Sequence, residues 1–323
     1  LITAVGCALF FPAAAYHSYG FFLFGLFVLA AGITLIQVAV NPYVSVLGPP
    51  ETASSRLNLA QAFNSLGTTL APLFGAVLIL SATDSANLAE KAAAVQGPYL
   101  FLATLLVTLA VVVYFAKLPD IHVETDEATK AQQSDKTSAW QYRHLVLGAV
   151  GIFCYVGAEV SIGSYIVNFL NLPSIMSMSE AQAAKLLSYY WGGAMVGRFI
   201  GSAVMRKSDP GRVLAINAAL AVVLVLAAML FSGQIAMVAI LSVGLFNSIM
   251  FPTIFTLAIA DLGEHTAQAS GILCMAIVGG AIVPLLQGIS ADSMGLQLSF
   301  FLPILCYAYI VYYGLNGHRH TAS

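Results

Sequence analysis

Charge is scarce in this chain: charged side chains make up 8% of 323 residues, with twelve Lys and Arg against fourteen Asp and Glu. With 59% hydrophobic residues and a mean hydropathy of +0.89, that scarcity excludes an ordinary soluble globular domain. No nucleic-acid partner is expected. Cysteine is equally sparse. Cys7, Cys154, Cys274 and Cys306 all lie inside apolar runs, where they read as packing residues and not as disulfides or metal ligands. None of the six histidines falls in the middle of such a run. There is no HExxH, no Walker loop, no GxSxG and no acidic pair within an apolar run beside a nucleophile. An enzyme is therefore not expected, nor a cofactor or a metal. The chain opens at Leu1 with no Met and no charged signal-peptide region, which reads as a truncated start.

What is present is long apolar sequence. Runs of about 18 residues or more are long enough to cross a bilayer as helices. Such runs fall near 1–16, 20–44, 57–82, 97–117, 144–170, 184–205, 212–232, 234–260, 267–291 and 297–315. The expectation is an all-α polytopic membrane protein whose principal surroundings are the lipid bilayer. The stretch with soluble character runs from Pro119 to Trp140. It divides the chain into a bundle over 1–117, a cytoplasmic linker over 118–141 and a bundle over 142–323. If the loop before Arg56 is cytoplasmic, alternation puts Arg56, Lys117, Lys130, Lys136, Arg143, Arg206, Lys207, Arg212 and Arg319 on that side, with Lys91 and Lys185 opposite. The positive-inside rule then gives a cytoplasmic C-terminus.

The two parts carry a weak internal repeat. Asn41-Pro42 followed by Gly67 to Pro72 resembles Phe251-Pro252 followed by Gly279 to Pro284; the proline offsets are 210 and 212. Gln37 and Asn247 each stand five residues before their proline. Same-direction repeats of this kind occur in transporters whose halves are related by an axis along the membrane normal. The offset predicts that the first half begins about 70 residues before Leu1, so about ten of twelve helices are present and the first two are missing.

The polar residues inside the apolar runs are unusual in kind. Thr34, Gln37 and Asn41 share one helical face, and Asn58, Gln61, Ser65 and Thr68 form a stripe on the next helix with Asn64 beside it. An amide in hydrocarbon costs several kcal/mol, on the order of 2–7, unless it finds a partner. A single amide is more simply glue between helices. A whole set favours a wet cavity for a neutral, hydroxyl-rich ligand. Pro42 also frees a carbonyl near that face.

Glu159 is the one acidic residue deep in an apolar run. A carboxylate there must be protonated, paired or facing water, and such residues mark proton or ion paths. The competing reading is a neutral structural acid bonded to Tyr155 one turn away. Ser161, Tyr165 and Asn168 share another stripe of that helix; a bend at Gly157 or Gly163 would bring both faces to one cavity. Tyr189, Tyr190 and Trp191 read equally as an interfacial belt and as a stacking platform for a sugar. Arg198 reads as a cytoplasmic gate or structural ion-pair residue, with Asp261 and Asp292, placed at span ends on the same side, as its candidate partners.

Asn41-Pro42-Tyr43-Val44-Ser45-Val46-Leu47-Gly48-Pro49 and Arg56-Leu57-Asn58-Leu59-Ala60-Gln61-Ala62-Phe63-Asn64-Ser65-Leu66-Gly67 resemble the fucose:proton symporter family of the major facilitator superfamily, most closely its glucose/galactose-transporter branch. Tyr155-Val-Gly-Ala-Glu159, Gly197-Arg198-Phe199, Pro252-Thr-Ile-Phe and Gly279-Gly280 also match. The resemblance implies a major facilitator fold of two pseudo-symmetric bundles and a central sugar site reached by alternating access. It also implies a bacterial inner (plasma) membrane location. It puts Gln37, Asn41, Asn58, Gln61 and Asn64 on the site-lining helices; with Tyr165, Asn168 and Asn247 these are the candidate substrate-binding residues. The fucose branch carries a Glu implicated in proton coupling where this chain has Gln37, so Glu159 becomes the candidate cation-coupling residue. The expected function is import of a glucose- or galactose-like monosaccharide by proton or sodium symport, by a monomer. Fucose, N-acetylglucosamine or another neutral sugar is the alternative substrate, and a non-transporting membrane sugar receptor the alternative class.

Overall fold

The computed structural model describes residues 1–75, 94–116, 119 and 138–319, with side chains at all of these except 72–75 and 181. Most of the linker over 118–141, the end of the span near 57–82, and Lys91, Lys117, Lys130 and Lys136 lie outside the described residues. Every described element is helical, as the apolar runs require. The first four helices are α1 (Ile2–Ala15), α2 (Tyr19–Val46), α3 (Ala53–Gly75) and α4 (Gln96–Phe115). There follow α5 (Arg143–Asn171), α6 (Glu180–Val204), α7 (Pro210–Leu230), α8 (Gly233–Asn247) and α9 (Met250–Ile259). The last are α10 (Thr266–Met275), α11 (Gly279–Met294), α12 (Leu296–Ser299) and α13 (Phe301–Tyr312). Taking α8–α9, α10–α11 and α12–α13 as interrupted rods, the described residues make ten rods, in the positions expected. Among the described residues, seven helical stretches are long and apolar enough to cross a membrane. The protein is a multi-pass, all-α membrane protein.

Helix ends follow local chemistry. Ser179 and Gln182 form a capping box at the start of α6, each side chain bonding the other's backbone N–H. Asp209 caps α7, accepting from the Arg212 N–H at 2.7 Å, and Pro210 occupies its first turn. Pro49 and Pro50 close the turn between α2 and α3.

The described residues form two compact units. The first combines Leu1–Val40 with Gly67–His122. In it Phe10 of α1 stacks on Tyr99 of α4 at 4.1 Å, and Gln96 Nε2 donates to Phe11 O at 3.1 Å. The second combines Asn41–Leu66 with Val123–Ser323. Its centre is α5, which packs against α6, α9, α11 and α13. Close approach of α5 to α11 depends on Gly279, where a Cβ would stand 2.1 Å from Phe153 O.

Two rods of this second unit are interrupted well inside their apolar length. The α8–α9 rod breaks at Ser248 and Ile249, and the α10–α11 rod passes through a 3-10 turn at Ala276–Val278. Interrupted helices in a membrane protein expose backbone groups only where protein or a polar cavity can satisfy them.

Candidate functional site

The site is built outward from α5. Glu159 lies 16 residues into that 29-residue helix, near its middle. Tyr155, one turn back on the same face, donates its hydroxyl to Glu159 Oε1 at 2.7 Å. From α6, Arg198 Nη2 stands 3.9 Å from the same oxygen. The two side chains are only 14% and 13% exposed, so little water screens their interaction. Arg198 reaches this place because Gly197 lets α6 press on the α8–α9 break; a Cβ there would stand 2.2 Å from Leu245 O. Arg198 Nε then donates to Ser248 O at 2.9 Å, satisfying a carbonyl at the break.

A second polar cluster adjoins the first. Tyr190 donates its hydroxyl to Glu159 O at 3.2 Å and accepts from Asn247 Nδ2 at 2.8 Å. Asn247 Nδ2 also reaches Tyr307 Oη at 3.3 Å. Asn247 is fully buried, and its Oδ1 has no hydrogen-bond partner. Of the aromatic trio, Tyr190 is therefore part of the polar core, Tyr189 is exposed, and Trp191 packs edge-on against Tyr190.

The amides of α2 and α3 form a run. Gln61 Nε2 donates to Asn41 Oδ1 at 3.3 Å, and Asn64 Nδ2 approaches Gln61 Oε1 at 3.5 Å. Asn58 Nδ2 donates to Ser54 O at 2.8 Å and to Thr253 Oγ1 of α9 at 3.2 Å. Asn41 Nδ2 and Asn58 Oδ1 are buried without partners, a spare donor and a spare acceptor on neighbouring helices. Asn64 is exposed, and Gln37 lies half-buried on the same face of α2 as Asn41.

Other expected site residues sit apart. Tyr165 donates to Pro284 O of α11 at 3.1 Å, and Asn168 is exposed. The α5 helix runs unbroken past Gly157 and Gly163, which are occupied by packing against Val283 and Trp191. Tyr165 thus meets α11 while Glu159 meets α6, and Ser161 Oγ is buried with no hydrogen-bond partner among the described residues. Two expectations need correction. The acidic side chain beside Arg198 is Glu159, at 3.9 Å, in place of the expected Asp261 or Asp292. Asp261 and Asp292 are also at opposite ends of the bundle: the α10–α11 rod lies between them, and its 32-residue helical stretch spans about 48 Å at 1.5 Å per residue.

Apart from Ser65, which belongs to the polar stripe of α3, nothing in the sequence marks the hydroxyl seam that joins α3 to α6 and α9. Ser54 Oγ and Thr256 Oγ1 are 2.6 Å apart, Ser55 Oγ donates to Ser202 O at 2.7 Å, and Ser65 Oγ accepts from Arg198 Nη1. Short hydroxyls are common in membrane helices as glue, and nothing in their spacing singles out Ser54, Ser55, Ser202 or Thr256. Tyr307 sits in an apolar aromatic run that gives equally little sign of its role.

The family model of the Major Facilitator Superfamily matches residues 1–284. The glucose/galactose transporter of Brucella abortus biovar 1 (strain 9-941) is 59% identical over 319 residues, covering 99% of this chain and 77% of that protein. The L-fucose-proton symporter of Escherichia coli (strain K12) is 34% identical over 327 residues, covering 95% of this chain and 74% of that protein. The crystal structure of the superfamily transporter FucP in the outward conformation superposes with a TM-score of 0.89 at 32% identity, covering 99% of this chain and 81% of that one. With the family model matching residues 1–284 and relatives this similar along almost the whole chain, it belongs to the Major Facilitator Superfamily.

Proposed function

We propose that the chain is a secondary transporter that imports glucose or galactose with a proton, with Glu159 as the proton site. The substrate reading is supported by the 59% identity to a glucose/galactose transporter. The coupling reading is supported by one observation above all: the buried Glu159 carboxyl, held by Tyr155 and offset 3.9 Å from Arg198. A carboxyl so placed can carry a proton as a neutral acid and can lose it to form an ion pair. Coupling then requires that sugar and proton favour the same conformational step.

The sugar contacts proposed are Asn41, Asn58, Gln61 and Asn64, with Gln37 on the Asn41 face and Tyr165, Asn168 and Asn247 as contacts in the second half. A sugar hydroxyl both donates and accepts, which fits the spare Asn41 Nδ2 and Asn58 Oδ1. Two bundles, 1–117 and 142–323, rock about this site across a cytoplasmic linker at 118–141. The monomer acts alone in a bacterial inner membrane, with its C-terminus cytoplasmic. Arg198 and Asp261 belong to the cytoplasmic half as gate or structural residues, and Asp292 stands at the opposite end.

Counterflow in proteoliposomes made with the full chain tests the reading. Vesicles loaded with unlabelled galactose are expected to draw in labelled galactose or glucose transiently above equilibrium. Binding of labelled sugar without counterflow would identify a receptor instead. Counterflow that only fucose or N-acetylglucosamine supports would move the substrate.

A further inference from the structure

Arg198 stands where three elements meet, and it divides its donors unequally among them. Its Nε holds Ser248 O at 2.9 Å and its Nη1 holds Ser65 Oγ of α3, whereas Nη2 is 3.9 Å from Glu159 Oε1, beyond a full hydrogen bond. The carboxyl takes its short bond from Tyr155. Ser65 is set to accept, because its own hydroxyl proton goes to Gln61 O at 3.1 Å. The Gln61 side chain, one turn from Ser65 on the same helix, bonds Asn41, so the proposed sugar contacts and the residue that holds the guanidinium lie on one rigid stretch of α3.

The titratable and charged groups around Glu159 are few. Tyr155 comes from its own helix, Arg198 and Tyr190 come from α6, and Tyr307 of α13 is reached through Asn247. Helix α9 presents Phe251 to the Tyr155 ring. Arg198 is the one cation among them, so its position governs whether a carboxylate at Glu159 is compensated.

We propose that Arg198 is a positioning residue that exchanges Ser65 for Glu159 during the transport cycle, an inference that rests on Glu159 being the proton site. With α3 docked on α6, Ser65 keeps the guanidinium off the carboxyl, and Glu159 stays a neutral acid bonded to Tyr155. When α3 withdraws to open the cytoplasmic side, Ser65 leaves and the guanidinium turns onto Glu159. The carboxyl O–H bond breaks, the proton passes to cytoplasmic water, and the carboxylate pairs with Arg198. Return of α3 pulls Arg198 away and leaves the carboxylate to take a new proton. Sugar release and proton release then share one helix movement.

Ser65→Ala is the first test, since it removes one atom from a buried site. Without Ser65, Arg198 competes with protons for Glu159, so the pH of half-maximal galactose accumulation should move at least about half a unit to the acid side. Accumulation is read relative to counterflow in the same proteoliposomes, which removes any change in amount or folding. In Arg198→Ala this ratio should fall at least about tenfold, with partial recovery in Arg198→Lys. A wild-type pH profile in Ser65→Ala, or wild-type ratios in Arg198→Ala, overturns the exchange while Glu159→Gln still uncouples. If Glu159→Gln itself accumulates sugar, the failure lies in the proton-site reading beneath it. If Arg198→Ala yields no folded protein, Ser65→Ala decides.

Discussion

Asn41 and Asn58 each bury a polar atom that has no hydrogen-bond partner among the described residues. An unmet buried hydrogen-bonding group costs about 1–3 kcal/mol, so such a pair persists most readily where a ligand completes it. Asn41→Ala and Gln61→Ala are predicted to raise the galactose KM of counterflow about tenfold, the worth of one neutral hydrogen bond. An unchanged KM in both would remove them from the sugar site. Asn247 also has a structural part, because its Nδ2 ties Tyr190 to Tyr307 in a fully buried cluster. Asn247→Ala should cost about 2–4 kcal/mol by stranding phenol oxygens and opening a cavity, whereas Tyr307→Phe removes the hydroxyl together with its need and should cost less. Thermal unfolding of the purified variants in detergent compares the two. Glu159 was legible in the sequence because a lone acid in an apolar run has few explanations. Its contact with Tyr155 followed from one helical turn. Tyr307 was not legible: a tyrosine among aromatics gives no hint of which way its hydroxyl points.

Packing of α5 on α11 rests on the absence of a side chain at Gly279. Gly279→Ala would force the helices apart or strain the backbone, at a cost of about 1–3 kcal/mol or more. At Gly192 of α6 an added Cβ would meet nothing within 4 Å, so Gly192→Ala should be neutral or stabilise by about 0.4–1 kcal/mol. Equal losses of thermal stability in both would contradict this account of the interface. The seam between α3 and α6 is open to a direct trap. Ser55 and Ser202 hydroxyls lie 3.3 Å apart, so cysteines at both positions are close enough to bridge. Oxidised Ser55→Cys/Ser202→Cys protein should lose counterflow and regain it on reduction; full counterflow in the bridged protein would mean that α3 and α6 need not separate. The rods themselves were readable from apolar run length, since bilayer thickness fixes how many residues must be apolar. The interruptions were readable only in part. Pro252 and the Gly279-Gly280 pair lie beside them, but where a helix breaks depends on partners such as Arg198 that come from elsewhere in the chain. For the same reason Gly157 and Gly163, which in isolation look like bend points, are packing contacts.

For the molecule as a whole, membership of the superfamily was signalled by motif sequence and by the repeat, both of which depend on local residue identity. How Arg198 chooses among partners depends on distance, and a sequence carries no distances: it offered Asp261 and Asp292, and the folded chain supplied Glu159. The central claim is that a single buried acid links sugar movement to a proton. The most direct measurement pairs accumulation with counterflow of labelled galactose, in wild-type and Glu159→Gln proteoliposomes under an inward proton gradient. The account predicts that the wild type concentrates galactose, whereas Glu159→Gln only equilibrates it and still exchanges it at a comparable rate. Concentrative uptake by Glu159→Gln would contradict it, as would wild-type accumulation that follows a sodium gradient and ignores the proton gradient.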